Sequence, residues 1–170
     1  MKEIEERVPF ITGRASGLTM ARSFSAACMK VAIADIEDDA LAAAQAEFSD
    51  SNVNVIILKV DVTGRAALEE AAKGTESVLD KIHVVCNNAG VAITAIINNH
   101  PHENWDWVVG VNFDGLIKGI RVFANSILTH AEVGRIVSTA SMAGLTGTQG
   151  FSVYTTSKFT VVGMSEVIAT

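Results

Sequence analysis

Short, continuously apolar runs alternate along this chain with longer stretches in which apolar residues recur every three or four positions. The first kind comprises Val8–Thr12, Val31–Asp35, Val53–Val60, Ile82–Cys86 and a brief Ile136-Val137. Being short and rich in β-branched residues, these runs predict buried strands. Between them, three sets of residues fall on helical stripes: Ala21, Phe24 and Cys28; Leu41, Ala44 and Phe48 within Glu37–Phe48; and Leu68, Ala72, Thr75 and Leu79. A long helix is predicted from Trp105 to about His130, burying Val108, Val111, Ile120, Phe123 and Ile127. A last helix opens near Ser152 and carries Val161, Met164 and Ile168 on one face. Five strands alternating with helices predict an α/β fold, a doubly wound parallel sheet of order 3-2-1-4-5, in a single domain over residues 1–170.

Two features sit awkwardly in that pattern. Pro9 cannot donate to a ladder, yet it falls in the first strand. Gly110, Gly115 and Gly119 interrupt the long helix, each at about 1 kcal/mol relative to Ala. They predict either close approach of another backbone or a local distortion around Asn112.

Composition narrows the class. With 170 residues, 49% hydrophobic, and a mean hydropathy of +0.32, the chain is expected to bury one core. A net charge of −6 and a pI near 5.1 speak against a nucleic-acid partner. No apolar run reaches spanning length, and the opening MKEIEERVPFITG mixes charges without a signal-peptide apolar region. A cytoplasmic chain without a membrane partner is therefore expected. Cys28 and Cys86, both in apolar contexts, are expected to be buried free thiols. His100-Pro101-His102 lacks a companion set with ligand spacing, so no metal site is expected.

Two segments carry chemistry. Thr12-Gly13-Arg14-Ala15-Ser16-Gly17 follows the first strand and opens a helix, where glycines permit a tight turn and close approach to a pyrophosphate. Asp35 closes the second strand eighteen residues after Gly17, near the spacing at which a carboxylate meets adenosine ribose hydroxyls. The same carboxylate repels the extra phosphate of NADP, so NAD is favoured. The second segment, Ile136 to Lys158, reads as a strand, a small-residue turn holding Ser141, a Gly-rich loop, and a helix with Tyr154 and Lys158. Residues four apart share a helix face. Ionising a phenol near neutral pH requires about 3–4 kcal/mol, and a cation about 4 Å away at an effective dielectric of ~20 supplies that much. Ser141 stands thirteen residues before Tyr154, across a strand-end turn.

With Ser141, Tyr154 and Lys158 so arranged, the chain resembles the short-chain dehydrogenase/reductase family from about Val8 to its last residue, and its sheet is expected to be Rossmann-like. The resemblance implies an NAD-dependent interconversion of a secondary alcohol and a ketone. Tyr154 is then the general acid/base, Lys158 lowers its pKa and binds the nicotinamide ribose, Ser141 holds the substrate oxygen, and Asn112 keeps a water that links the lysine to solvent. It also implies cofactor contacts at Gly13, Arg14, Ser16, Gly17, Leu18, Asp35, Ile36, Asp61, Val62, Asn88, Ala89 and Gly90, besides Tyr154 and Lys158. Asp61 would meet the adenine amine with Val62 beside the ring; it reads equally as a helix cap. Asn87-Asn88-Ala89-Gly90 would stabilise the sheet and line the cofactor channel. Met142–Thr148 and Val91–Asn99 would face the small-molecule substrate, and the 105–130 and 154–170 helices would pair subunits of a homo-oligomer.

The chain departs from the family at two places. Thr19 stands where the third glycine of T-G-x-x-x-G-x-G belongs. The interval from Gly17 to Asp35 is about two residues shorter than the family's, a difference that turns a helix face by roughly 200°. Either the helix starts in an altered register or the phosphate turn is rebuilt. The family's later strands, Pro-Gly turn and lid have no counterpart in the sequence. An incomplete piece of a longer enzyme, or a damaged paralogue, is therefore expected, with the fifth strand an apolar edge. The alternative function is a catalytically inactive nucleotide-binding or subunit-interaction module.

Overall fold

The sheet is built outward from β1 (Val8–Thr12), in which every residue is buried. In the computed structural model, which describes residues 4–49, 54–130 and 132–169 apart from the side chains of Arg14 and Ala15, β1 lies between two parallel neighbours. These are β2 (Val31–Asp35), with Phe10 opposite Ala32, and β4 (Ile82–Asn87), with Ile11 opposite Cys86. β3 (Val55–Lys59) adds outside β2, and β5 (Arg135–Ser138) adds outside β4. Among the described residues the order is β3-β2-β1-β4-β5, as expected. Val53, the predicted start of the third strand, lies outside the described residues.

Pro9 is tolerated at the centre because the ladder slips there. The register with β4 shifts between Val8 and Pro9, and the Val8 amide donates to His83 Nδ1 at 3.1 Å instead. A bulge is the place where a strand proline loses no ladder bond.

Alternation along the strands sorts the core into two layers. Ile11, Val31 and Ile33 face α1 (Arg14–Ala26) and α2 (Asp38–Phe48), packing with Leu18, Ala21 and Ala44. Phe10, Ala32, Ala34 and Val85 face the other way, onto Leu68 and Ala72 of α3 (Arg65–Leu79) and onto Phe123. The Phe10 and Phe123 rings lie 4.5 Å apart, joining the central strand to the long helix.

That helix is one continuous rod of three parts: α4 (His102–Val109), a π-helical turn (Gly110–Asp114) and α5 (Gly115–Thr129). Both predicted accommodations of its glycines occur. The distortion sits on Asn112, and a Cβ at Gly119 would collide with the Asn87 side chain. Val108 and Phe123 are fully buried, while Val111, Ile120 and Ile127 are half-buried. α6 (Ser152–Ile168) buries Val153 and Val161, but Ile168 at its end is exposed.

Cys28 corrects an expectation. It lies just past α1 in the left-handed region (φ 59°) and is exposed. The helical stripe ends before it, so its side chain points away from the core that Phe24 joins. Cys86 is buried as expected, and burial pushes its thiol up to about 11.

At the amino-terminal edge of the sheet, Glu132 gathers three partners that the sequence did not reveal. It accepts from Arg7 Nη1 at 2.6 Å and Lys81 Nζ at 2.5 Å, and His83 Nε2 lies 3.2 Å away. The Lys81 and His83 contacts hold the Glu132 carboxyl down at about 2.

Candidate active site

The carboxyl ends of a parallel sheet point the same way, so residues just past β1, β4 and β5 meet. Asn88 is the knot. Its Nδ2 donates to the carbonyls of Thr12 (3.0 Å) and Gly13 (2.9 Å), while its Oδ1 accepts from Ser16 Oγ (2.6 Å) and Thr139 Oγ1 (3.0 Å). Thr12 Oγ1 in turn accepts from the amides of Asn88 (3.0 Å) and Ala89 (3.1 Å). Beyond β5, the Thr139 carbonyl accepts from Lys158 Nζ at 2.8 Å. A continuous hydrogen-bonded path thus runs from the Gly-rich turn to the lysine. Thr139 was missed by sequence reasoning, its only signal being a position at a strand end, and Thr12 was read only as the head of the Gly-rich segment.

Lys158 is buried, and burial pushes its ammonium below the ordinary lysine value. Its Nζ lies 5.7 Å from the centroid of the Tyr154 ring, so the two share the α6 face that i, i+4 spacing requires. Ser141 heads a 3-10 turn (Met142–Gly144), its Oγ accepting from the Ala143 amide at 3.2 Å. That turn rests on α6, where a Cβ at Gly144 would stand 2.7 Å from the Lys158 carbonyl oxygen. Gly90 opens beside the lysine: a Cβ there would lie 3.5 Å from Nζ and 3.2 Å from Asn112 Oδ1.

Asn112 commits its side chain to protein. Oδ1 accepts from the Val91 amide at 2.8 Å, and Nδ2 donates to the Val91 carbonyl (2.9 Å) and Ser157 Oγ (3.0 Å). It therefore fixes the strand exit after Gly90 against α6.

The adenosine-side candidates sit farther along the same edge. Asp35 Oδ1 accepts from the Glu37 amide at 2.9 Å, and Ile36 is 51% exposed beside it. Asp61 does not cap α3, whose N-cap is Gly64 without a side-chain bond; instead its Oδ1 holds a local turn, accepting from the Thr63 amide and hydroxyl at 2.8 and 2.7 Å. Val62 is half-buried against the core beneath Gly115.

In the Gly-rich segment, α1 begins at Arg14, immediately after Gly13 (φ 79°), whose amide donates to the Ala34 carbonyl at 2.8 Å. The helix thus takes in the Arg14–Gly17 part of the segment. Ala89 packs against Gly13, Ser16 is exposed, and Gly17 and Leu18 are buried. The Arg14 side chain lies outside the described residues.

A groove of about 1020 Å³ lies elsewhere, between α3 and α5. Its lining charges are largely engaged, Arg65 with Glu69, Glu76 with Ser126 and Lys118 with the Thr63 carbonyl. Chemistry is better sought at the strand ends, where titratable side chains converge. Among the described residues no helix is long and apolar enough to cross a membrane.

The family model for short chain dehydrogenase matches residues 7–170. The CLA biosynthesis dehydrogenase/reductase of Lactiplantibacillus plantarum is 31% identical, over 99% of this chain and 60% of its own length. The 2-dehydro-3-deoxy-L-rhamnonate dehydrogenase (NAD(+)) of a Sphingomonas species is 34% identical, over 94% of this chain and 64% of its own. The crystal structure of a short chain dehydrogenase/reductase from Burkholderia phymatum in complex with NAD superposes with a TM-score of 0.95 at 33% identity, covering 99% of this chain and 60% of that one. The chain thus spans about three fifths of the length of these relatives.

Proposed function

We propose, from the premise that this chain belongs to the short-chain dehydrogenase family, that it forms the dinucleotide-binding and proton-transfer part of an oxidoreductase acting on a secondary alcohol or ketone. The observation that carries this reading is the buried Lys158 ammonium, tethered to Thr139 and set 5.7 Å from the Tyr154 ring.

The residues present suit a nicotinamide dinucleotide at both ends. Gly90 leaves room beside Lys158 Nζ, and a Cβ there would press on Asn112 Oδ1 at 3.2 Å. Asp35 ends β2 next to the Gly13 turn, offering a carboxylate for ribose hydroxyls and an unfavourable field for a 2′-phosphate, so NAD is preferred over NADP. When bound, the cofactor supplies the hydride acceptor or donor. Everything else falls to the chain. Tyr154 takes or gives the proton at the substrate oxygen through its hydroxyl. Lys158 lowers the free energy of the phenolate by its charge. Ser141, whose oxygen already accepts from Ala143, has its proton to donate to the same substrate oxygen. Asn112 holds Val91 and so keeps Gly90 in place. Met142 and Leu145, 72% and 66% exposed beyond Ser141, would meet the substrate's carbon skeleton. Trp107 and Phe159, about half exposed on the long helix and α6, would meet a second copy.

The inactive nucleotide-binding module is the second reading, favoured by the departure of the Gly-rich segment from the family pattern at Thr19. One experiment separates them: NAD titration with an alcohol and ketone panel on wild type and Tyr154→Phe. Turnover that vanishes in the variant, with NAD affinity within about threefold, supports the enzyme. Equal loss of both overturns the role given to Tyr154, and NAD binding without turnover in wild type selects the module.

A further inference from the structure

Charged residues make up 19% of this chain, yet two of its segments carry none. No Asp, Glu, Lys, Arg or His stands from Val84 to Asn99, nor from Ile136 to Ser157. The fold joins these two segments beside Tyr154. The Ala95 amide donates to the Gly150 carbonyl at 2.9 Å, and Ala95 bridges Phe151 in parallel. The Phe151 ring in turn meets the Tyr154 ring edge-on, centroids 6.2 Å apart. The large side chains these loops expose are apolar: Ile96 and Ile97 directly after the bridge, Met142 and Leu145 in the turn after Ser141. Asn98, Thr146 and Gln149 are exposed among them, but they hydrogen-bond without charge.

The cations that flank the second segment are engaged elsewhere. Arg135, at the opposite end of β5, donates to the Gly134 carbonyl at 2.8 Å. The Lys158 ammonium is buried beside Gly90 and donates to the Thr139 carbonyl. His100, next after Asn99, turns its ring edge-on to Trp105 at 6.3 Å. A carboxylate or phosphate held among these loops would give up water for no countercharge, which is costly. A hydrocarbon substituent would instead cover apolar surface that now faces solvent.

We infer that the substrate flank of this site takes a neutral alcohol or ketone with a hydrocarbon substituent, and selects against the same compound carrying a carboxylate. The place of the reacting oxygen rests on the dehydrogenase reading; the character of the rim does not.

Acetophenone, para-acetylbenzoate and the methyl ester of that acid share one ketone and differ in charge. Their affinities for this chain are read from the methyl signal of Met142 in methionine-labelled protein, assigned with Met142→Leu, and their reduction from NADH consumption. Acetophenone and the ester should shift the signal saturably, with para-acetylbenzoate at least about tenfold weaker. Leu145→Arg, a change at an exposed position whose amide bonds the Met142 carbonyl, should bind the acid at least about tenfold tighter than wild type and the ester no tighter. Equal or tighter binding of the acid by wild type, no binding of any of the three, or an unchanged preference in Leu145→Arg would each overturn the inference. So would a Met142 signal that moves with protein concentration alone, because a second copy would then cover the rim. The charge preference without NADH consumption would sink the dehydrogenase reading and leave the rim assignment standing; consumption without the preference would do the reverse.

Discussion

Asn88→Ala should be among the most damaging single changes at the strand ends. The side chain donates two hydrogen bonds, to the Thr12 and Gly13 carbonyls, and accepts two, from Ser16 and Thr139. A net value of about 1 kcal/mol per bond gives about 4 kcal/mol for the set. Ser16 is exposed and regains water, which lowers the expected loss to about 3 kcal/mol. In a domain of this size each kcal/mol moves Tm by about 2–4 °C, so the midpoint should fall by roughly 6–12 °C. Urea and thermal unfolding of the ligand-free chain read this directly. Thr139→Val in the Asn88→Ala background should add little, because the two changes remove a shared bond. A loss below about 1 kcal/mol, or full additivity with Thr139→Val, would refute the claim that Asn88 ties β1, α1, β4 and β5 together.

Two further outcomes follow from buried and paired charges. Burial, only partly offset by the bond to Glu132, lowers the His83 pKa. Protonation then favours the unfolded chain, and stability should be full above about pH 6.5 and decline as pH falls toward the folded value. Urea unfolding from pH 7 to 5 should show a shallower decline in His83→Gln, and parallel profiles would argue against the assignment. Glu132, depressed to about 2, contributes stability that is full above its usual range near 4.5 and lost as pH falls through about 2. The lowered Lys158 pKa has the opposite sense for a cation, its charge opposing folding most at low pH and less as pH rises toward 10.5. Relative to wild type, Lys158→Met should therefore fare better in ligand-free Tm at low pH than at pH 10, the difference narrowing as pH rises. A pH-independent difference would contradict it.

Most of the architecture was legible because it depends on local pattern. The strand runs and the stripe Leu68, Ala72, Thr75, Leu79 declare themselves within a dozen residues, and all four are buried in α3. The strand order follows from alternation and is what the sheet shows. Tyr154 and Lys158 share a helix face because spacing alone requires it. What escaped depends on contacts between distant segments. Glu132 pairs with Arg7 across 125 residues, and Thr139 reaches Asn88 across 51, with no periodicity to announce either. Pro9 looked unsuited to a central strand because the slip in register that accommodates it is a property of β4 as much as of β1. Cys28 was misread because a stripe continues on paper after the helix has stopped. The start of α1 was left open because the glycines signal a turn, while the register of the helix after them is set by its packing on the sheet.

The π-helical turn at Gly110–Asp114 sets the phase of everything after it. One residue more than α-helical winding advances the azimuth of the following segment by about 100°. Leu116 and Phe123 are thereby buried, Phe123 against Phe10, while Asn112 stays aimed at Val91. Excising a single residue there would restore α-helical winding and leave Phe123 facing Phe10, because the wide turn absorbs that residue. That one coil thus reconciles two facings on a single rod, Asn112 toward Val91 and Phe123 toward the middle of the core.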